Sequence, residues 1–396
     1  MNYIIFDDAT RESLKPLTYT RPVCEIRIGI LTIREKWEKY LNCKTSTLTE
    51  DYLSEKYPIE LSDSMILING SICPTDDIVK KVTALQPNQT LVDGDVIIAM
   101  YKTKEGFLAD EAEVSERIEI GTSAYIQIVN PWDIFVNNER AINDDFALIT
   151  KGRTSAKISE TNKVICPENI FVEEGAIIEC ATLNAKTGVI YIGKDAEIME
   201  NSVVRGPFAM CEHSVLKLSA KIYGATTLGP YSKVGGELAN VVIFGHSNKA
   251  HDGFIGNSVI GEWCNIGADT NASNLKNTYE EVRLWSIAQN TFIPTGQTFC
   301  GTIMADHSKC GINTMFNTGT VVGVSANVFG HGYQRNFIPS FVWGGTSGLK
   351  LYDFNKAIEV AKRMYQRRDL TFSDVDERIL KAVYGLTLKN KQRIIS

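Results

Sequence analysis

The sequence predicts two unlike parts, an N-terminal α/β domain of Rossmann-like type and a C-terminal left-handed parallel β-helix of hexapeptide turns. Three observations predict this fold class. Apolar residues recur every six positions in the second half, apolar runs alternate with helical stretches in the first, and an amphipathic tail follows the repeat. We expect the domain boundaries at about 1–150, 165–345 and 350–396, the last being a helical tail.

Composition and charge exclude several classes of protein. The 396 residues are 44% hydrophobic, which is enough for more than one core. A net charge of −6, with no basic stripe, argues against a nucleic-acid partner. No apolar run approaches the roughly 20 residues that span a bilayer, and nine cysteines without a CxxC pair argue against a zinc ribbon. We therefore expect a cytoplasmic protein without a membrane span.

The first 150 residues show the alternation of an α/β domain. Segments 3–6, 65–68 and 96–100 are short apolar runs that predict buried strands, and 32–41 predicts a helix. Ligands bind at the carboxyl ends of strands in open α/β sheets. The loops at 7–20 and 69–77 are therefore candidate binding loops.

The repeat is the strongest signal in the chain. Eight apolar residues are spaced six apart without a gap: Ile192, Ile198, Val204, Met210, Leu216, Ile222, Leu228 and Val234. This period predicts a triangular coil whose sides each take one hexad and whose corners hold small or positive-φ residues. The same six-residue spacing returns in two later runs and predicts further inward positions: Phe254, Ile260, Ile266, Met304, Cys310, Phe316, Val322 and Val328. Val172 and Ile178 follow a shifted phase, which predicts a short insertion between 178 and 192.

The repeat is interrupted at 268–300, where polar residues precede a strand-like pattern around Leu284. An excursion from a rigid solenoid is a common position for a binding loop. Beyond 350, Asp353 or Asn355 is expected to cap one amphipathic helix and Ser373 a second. We expect both helices to cover the end of the solenoid.

The opening of the chain resembles the sugar-1-phosphate nucleotidyltransferases. Pro16-Leu17-Thr18 and Pro22 match the family's motif in order and spacing, and Thr10-Arg11 matches its Thr-Arg pair if two extra residues precede Pro16. The resemblance implies a nucleoside triphosphate and a sugar-1-phosphate as substrates, with Mg²⁺. It implies that the substrate is bound by Arg11, Thr18, Arg21 and Arg27.

The same motif departs from the family at the phosphate loop. Asp7, Asp8 and Ala9 replace the glycines that let a backbone approach phosphates. Ser71 stands where the family has a metal-binding aspartate, which leaves Asp76 and Asp77 as metal candidates. The domain is therefore expected to act through a variant site, to bind a sugar nucleotide only, or to be a relic.

Residues 249–270 align without gaps to the acetyltransferase half of another family, the bifunctional N-acetylglucosamine-1-phosphate uridylyltransferase/glucosamine-1-phosphate acetyltransferases. The resemblance implies that His251 is the general base for attack of a sugar amine on acetyl-CoA or another acyl-CoA. It also implies a catalytic Asn274, a substrate-binding Glu237 and a homotrimer. Because the family's phosphate-binding lysine aligns with Ala239, we expect Lys249 or Lys276 to hold a phosphate; Arg283 is a further alternative.

Two alternatives remain open. His213, His246 and His251 have a spacing that resembles the zinc triad of γ-class carbonic anhydrases, in which three histidines would leave one position for water. A non-catalytic, sugar-nucleotide-binding trimer is the other. The favoured hypothesis is a transferase of sugar-nucleotide (UDP-N-acetylglucosamine type) biosynthesis for the cell envelope.

Overall fold

The computed structural model describes residues 1–109, 115–122 and 124–395, and the first part is an α/β domain. Its strands within the described residues are β1 Asn2–Phe6, β2 Ser46–Leu48, β3 Ser64–Asn69, β4 Ile72–Cys73, β5 Gln89–Asp93, β6 Val96–Thr103, β7 Glu116–Glu119 and β8 Ile126–Gln127. Its helices are α1 Thr10–Ser13, α2 Ile33–Leu41, α3 Asp51–Ser54, α4 Asp76–Thr83, α5 Lys104–Leu108, α6 Asp133–Val136 and α7 Asn138–Thr150. The predicted strands at 3–6, 65–68 and 96–100 and the predicted helix at 32–41 are all present.

Six of these strands form one sheet in the order β2-β1-β3-β6-β5-β7. β1 is parallel to both β2 and β3, whereas β6 is antiparallel to β3. The helix α2 begins with a capping box, in which Thr32 accepts from the Glu35 amide and the Glu35 carboxylate accepts from the Thr32 amide. Because β1 is parallel to both β2 and β3, the carboxyl ends of these three strands lie at the same edge of the sheet.

The second part is a three-sided parallel β-solenoid, as predicted. The first side consists of β10 Ile170–Val172, β13 Ile190–Ile192, β16 Phe208–Met210, β19 Thr226–Leu228, the second halves of β21 Glu237–Gly245 and β23 Phe254–Glu262, β28 Thr302–Met304, β31 Thr320–Val322 and β33 Phe337–Ile338. The second side consists of β11 Ile177–Ile178, β14 Glu197–Ile198, β17 Val215–Leu216, β20 Lys233–Val234, β22 Asn248–Lys249, β24 Asn265–Ile266, β29 Lys309–Cys310, β32 Asn327–Val328, β34 Val342–Gly345 and the antiparallel β35 Gly348–Leu351. The third side consists of β9 Lys163–Ile165, β12 Thr182–Asn184, β15 Val203–Arg205, β18 Lys221–Tyr223, the first halves of β21 and β23, β25 Asn271–Ala272 and β30 Met315–Phe316.

The strand register confirms the inward positions of the regular coils and corrects one later position. Val172 pairs with Ile192, so the predicted insertion between 178 and 192 is present. Phe254 was expected to point inward, but Ile255 does so instead and pairs with Leu238, whereas Phe254 is half-buried. The cause is a shorter spacing within this coil, since only four residues separate the inward side chains of Ile255 and Ile260, one fewer than in the regular coils.

One corner of the solenoid carries a ladder of rings. His213, Tyr231, His246, Trp263 and His307 lie between the first and second sides in successive coils, each with a φ between 52° and 62°. Neighbouring ring centroids are 4.7, 5.1, 4.3 and 6.4 Å apart. The positive φ expected at corners is thus present, but the side chains are large. Ring stacking offsets part of the cost of the left-handed backbone.

The outer face of the first side is covered by the N-terminal domain. Val242, Val259 and Val321 of the solenoid belong to the same buried core as Ile28 and Trp132. An apolar core shared in this way makes the two parts energetically dependent on each other.

The interruption of the repeat begins after Ala272, later than expected, because β25 still pairs with β23 and β30. The inserted segment forms the hairpin β26 Arg283–Ser286 and β27 Thr291–Pro294. Val282 and Leu284 pack into the core shared with the N-terminal domain. Much of the segment predicted to be a binding loop therefore packs on the core shared by the two parts of the chain.

The tail forms α8 Phe354–Gln366 and α9 Asp374–Ile395. Asp353 caps α8 and Ser373 caps α9, as predicted. The helices were expected to cover the end of the solenoid, but they pack largely along a corner of its last coils, against Ala305, Val324 and Phe341, and also against Tyr19 and Leu53 of the N-terminal domain. Among the described residues no helix has the length and apolarity needed to cross a membrane.

Candidate functional site

The first candidate site lies at the edge of the sheet where β1, β2 and β3 end. Asp7 and Asp8 directly follow β1, and the Asn69 amide at the end of β3 donates to the Asp8 carboxylate at 2.8 Å. A cleft of about 370 Å³ opens there and is lined by Asp7, Asp8, Arg11, Glu12, Leu48, Thr49, Glu50 and Asp51. Carboxylates dominate this lining, so its electrostatic potential disfavours a triphosphate that arrives without cations.

Arg11 forms part of the wall of this cleft and is only 3% exposed. Its guanidinium donates to the Asp7 carboxylate at 3.0 Å, to the backbone oxygens of Arg21 and Thr18 at 2.9 and 2.6 Å, and to the Tyr52 hydroxyl at 2.9 Å. The Thr18 hydroxyl in turn donates to the Arg11 carbonyl at 2.7 Å. Of the five guanidinium N–H groups only Nε remains, 3.7 Å from the Glu50 carboxylate. The Pro-Leu-Thr motif therefore holds Arg11 in place.

Arg21 and Arg27, predicted from sequence to bind substrate, face the solenoid instead. The Arg21 guanidinium is buried against the Asp306 carboxylate and lies 3.3 Å from Glu262. Burial alone would raise the pKa of Asp306, but the charge of Arg21 holds it below its usual value. Arg27 donates to the Phe244 carbonyl at 3.1 Å. Neither guanidinium lines the cleft, because both bind acceptors of the solenoid at the contact between the two parts of the chain.

The residues at this edge do not fit the Mg²⁺ that the resemblance implies. The Asp7 carboxylate already accepts from the Val23 amide at 2.7 Å, from Arg11 and from Thr49. Burial raises the pKa of Asp7, which further disfavours a free anionic ligand. Among the residues that the structure describes, no three His, Cys, Asp or Glu side chains converge on a metal position.

The other metal candidates lie apart from the cleft. Asp76 and Asp77 form the first turn of α4, and Asp77 is paired with Lys81 at 2.8 Å. Ser71 is buried and donates to the Asn69 side chain at 2.7 Å. Neither aspartate lines the cleft at the ends of the strands.

The second candidate site is a solenoid corner between the second and third sides. His251 is exposed in the turn that joins β22 to β23, and its ring has no hydrogen bond to any described residue. Gly236 of the preceding coil lies directly below this turn with a φ of +74°. A Cβ there would lie 2.9 Å from the His251 oxygen, so a side chain would displace the turn. The imidazole therefore projects from a tightly packed turn into solvent.

Lys249 lies next to this turn but points into the solenoid and is 1% exposed. Its ammonium donates to the backbone oxygens of His251 at 2.8 Å, Gly235 at 3.1 Å and Asp252 at 3.2 Å. Burial lowers its pKa to about 8. Since all three N–H donors are used, Lys249 has none left for a substrate phosphate, contrary to the sequence-based expectation.

The third side runs from this corner and presents polar and apolar side chains. Glu237 accepts from the Tyr223 hydroxyl at 2.6 Å and lies 3.2 Å from the Lys221 ammonium, and these contacts lower its pKa. Its backbone amide donates to Gly253 at 3.2 Å, which places Glu237 beside the turn that carries His251. A groove of about 620 Å³ continues along this side, lined by Gly253, Phe254, Asp269, Asn271, Ala272, Ser273, Asn313, Met315, Phe316 and Tyr333.

Asn274 and Lys276 lie at the far end of the third side. The Asn274 amide donates to the Asn257 side chain at 2.8 Å, at the corner that leads back to the first side. Lys276 donates to the Glu281 carbonyl at 2.7 Å within the inserted segment. Because His251 precedes and Asn257 follows the third-side stretch of β23, a single chain does not bring His251 and Asn274 together.

The three histidines of the zinc alternative do not form a site within one chain. His213 and His246 are separated in the corner ladder by the ring of Tyr231. His246 is half-buried between Tyr231 and Trp263, and burial lowers its pKa. His251 occupies a different corner. The described part of the chain thus provides no cluster of three ligands here.

Comparison with known proteins agrees with this two-part architecture. Residues 3–154 match the model of a family described as sugar nucleotidyl transferase. The chain is 27% identical over 144 residues to a bifunctional sugar-1-phosphate nucleotidylyltransferase/acetyltransferase of Sulfurisphaera tokodaii, covering 36% of this chain and 35% of the relative. It is 28% identical over 189 residues to the bifunctional protein GlmU of Alkaliphilus metalliredigens, covering 41% of each. The predicted resemblance to the bifunctional family is confirmed, and the chain spans less than half the length of either relative.

Solved structures similar to this chain include an Arabidopsis UDP-N-acetylglucosamine acyltransferase, at 13% identity and a TM-score of 0.24, covering 52% of this chain and 75% of that one. A variant of the N-acyltransferase AntD from Bacillus cereus, solved with dTDP-4-amino-4,6-dideoxyglucose and coenzyme A, is 12% identical. Its TM-score is 0.23, and the match covers 54% of this chain and all of that one.

Sequence reasoning missed the groove beside His251. Tyr333 comes from the aromatic segment after the regular repeat and joins Met315 through an isolated bridge, which no local pattern predicts. Asp252 and Asp269 were also not singled out, although both lie at the same corner, where the Asp269 amide donates to the Asp252 carbonyl. Their signal was available, since both fall within the gapless match at 249–270.

Proposed function

We propose that this protein is a transferase of sugar-nucleotide biosynthesis that moves an acyl group from acyl-CoA to the amino group of a sugar. The proposal rests on one observation above all. A sugar nucleotidyl transferase domain at 3–154 is fused to a hexapeptide solenoid whose corner exposes an unpaired histidine, His251. The N-terminal domain would handle a nucleoside triphosphate and a sugar-1-phosphate.

At the solenoid corner the chemistry is that of amide formation. The sugar amine attacks the thioester carbonyl, the new C–N bond forms, and the C–S bond breaks as the CoA thiol leaves. His251, whose imidazole is exposed, takes the proton that the amine must lose and passes it to the departing CoA sulfur. The apolar part of the groove, at Phe254, Met315 and Tyr333, offers a surface for the acyl-CoA.

The proposed assembly is a homotrimer with third sides facing one another. The first side is covered by the N-terminal domain, whereas the third side exposes Val203, Tyr223 and Tyr333, the last at 60%. Exposed apolar residues on one face are typical of a protein interface. Such packing would place the groove and His251 of one chain near the Asn274 end of another. Sedimentation equilibrium tests this assembly, and a monomer at micromolar concentration would exclude it.

The decisive experiment measures CoA thiol release from acetyl-CoA, and from longer acyl-CoAs, with a panel of amino-sugar phosphates. We expect His251→Ala to lower kcat by about 10²- to 10⁴-fold, the usual contribution of a general base. His213→Ala is the matched control, because His213 lies at another corner and stacks on Tyr231. Equal turnover in wild type and His251→Ala would remove His251 from the reaction.

A second candidate function concerns the N-terminal domain, which would bind a sugar nucleotide without turnover. The acidic cleft and the internally paired Arg11 argue against turnover of a nucleoside triphosphate in this domain, and we derive no step through Mg²⁺. Pyrophosphate release with UTP or dTTP and sugar-1-phosphates, in the presence of Mg²⁺, distinguishes the two. Release with any pair establishes nucleotidyl transfer; binding by calorimetry without release establishes the binding function.

A further inference from the structure

Lys249 occupies a position that the repeat reserves for an apolar side chain. In the strand register Lys249 pairs with Val234, within the inward column of Ile198, Leu216 and Val234. The stem of the lysine fills the column, and its ammonium ends at the corner below His251. A buried ammonium is costly unless each donor finds an acceptor, so an inward lysine needs a reason that packing alone does not supply.

The reason lies in the shortened coil. Because only three residues separate Val234 and Leu238, the preceding coil is indented at this corner and the Gly235 carbonyl faces inward. The ammonium donates to that carbonyl and to the His251 and Asp252 carbonyls, and so ties two successive coils together. The Asp252 carbonyl also accepts from the Asp269 amide at 3.0 Å, but among the described residues no such backbone donor reaches the Gly235 and His251 carbonyls. Loss of the ammonium would leave these two carbonyls unpaired, and unpaired buried carbonyls drive a turn to rearrange.

We infer that Lys249 is the positioning residue for His251, fixing the turn from which the exposed imidazole projects into solvent. The inference rests on the proposed acyl transfer for its catalytic meaning. Lys249 touches no substrate and acts only through the backbone of His251 and Asp252. A displacement of about 1 Å of a catalytic group is sufficient to lower a rate substantially.

The test compares Lys249→Met with Lys309→Met. Methionine keeps the length of the stem and removes the N–H donors. Lys309 is the matched control, because it is a half-buried solenoid lysine whose ammonium also donates to the carbonyl of a histidine, His307, at 2.8 Å, although it lies outside the inward column. We expect Lys249→Met to lower kcat by about 10- to 100-fold with the KM for acyl-CoA within about threefold, and Lys309→Met to leave kcat within about twofold.

An activity-independent readout separates this inference from the proposed function. The chain has five histidines, so the ring resonance of His251 can be assigned by its loss in His251→Ala. In Lys249→Met that resonance is expected to move while those of His213 and His331 stay. An unmoved His251 resonance, or an unchanged kcat, overturns the inference. If the wild type transfers no acyl group, the proposed function fails, and the resonance alone decides whether Lys249 positions His251. Lys249→Gln, which keeps two donors, gives the same comparison if Lys249→Met does not fold.

Discussion

Arg21 and Asp306, separated by 285 residues in sequence, form a buried ion pair that joins the N-terminal motif to a corner of the solenoid. Thr20 reinforces the pair, since its hydroxyl donates to the same carboxylate at 2.6 Å. The segment that the resemblance assigns to nucleotide binding is thus anchored to the other part of the molecule.

Removing Arg21 should destabilise the whole chain. Arg21→Met leaves the Asp306 carboxylate buried without its partner, and breaking a buried pair in this way costs about 3–5 kcal/mol. Urea unfolding followed by tryptophan fluorescence measures the loss. Lys362→Met is the control, because its pair with Glu377 is exposed and should contribute less than about 1 kcal/mol. Equal effects of the two substitutions would show that the buried pair has no special role.

His307 should make stability depend on pH. It is buried between Trp263 and Tyr365, and burial lowers its pKa to about 3 despite the nearby Asp306 and Asp376; Lys309 and Lys56 lower it further. Between this value and about 6.5 the unfolded chain binds a proton that the folded chain does not, so stability falls as pH falls. At pH 5 the loss should be about 2 kcal/mol relative to pH 7.

His307→Phe keeps a ring in the ladder and removes the titration. Urea unfolding of both proteins at pH 7 and pH 5 checks the prediction. The loss of unfolding free energy between pH 7 and pH 5 should be about 2 kcal/mol smaller in the variant than in the wild type. If wild type and variant lose equal stability on acidification, His307 is not the responsible group.

Asn138 should matter more than its neighbour Asn137. The Asn138 side chain accepts from the Gly29 amide and donates to the Ala225 carbonyl, both at 2.8 Å, and so connects α7, the N-terminal loop and the solenoid. Asn138→Ala leaves the buried Gly29 amide without its acceptor and removes one donor from the Ala225 carbonyl, at a cost of about 1–3 kcal/mol in unfolding free energy. Asn137→Ala is the control, because Asn137 is less buried and its amide contacts only its own helical segment. Similar thermal shifts for the two variants would refute this assignment.

The N-terminal domain should not fold independently. Val242, Val259 and Val321 complete the core that contains Trp132, so a fragment of residues 1–154 would expose that surface. We expect the fragment to aggregate or to bind a hydrophobic dye, whereas the full chain unfolds cooperatively. A monomeric fragment with a sharp thermal transition would contradict the shared core.

The sequence is sufficient to predict the repeat because each inward position is occupied by a single apolar residue, such as Ile192 or Ile198, and these residues recur every six positions. The same rule fails at Phe254, because Phe254 keeps the six-residue spacing to Ile260, whereas the inward residue Ile255 is only five residues before Ile260. It also fails at Lys249, which takes an inward position only because three carbonyls receive its ammonium. Periodicity predicts regular coils and loses accuracy where coil length changes.

The site is less accessible to sequence reasoning than the fold. An arginine in a motif indicates positive charge but not its direction, and the burial of Arg21 depends on Asp306, far away in sequence. His251, in contrast, lies within a gapless match, and its exposure agrees with the role proposed for it. Long-range pairing decides which charges remain available to a ligand.

The shared core also constrains how the protein is made. The ribosome synthesises the chain at about 5–20 residues per second, so residue 154 emerges roughly 10 to 30 s before Val321. During this time the apolar surface of the N-terminal segment that packs on the solenoid remains exposed. During that interval the nascent chain is a natural client for chaperones. Translation that stalls between 154 and 321 should therefore release chains that aggregate, and pulse-labelled nascent chains captured on chaperones would reveal this delay.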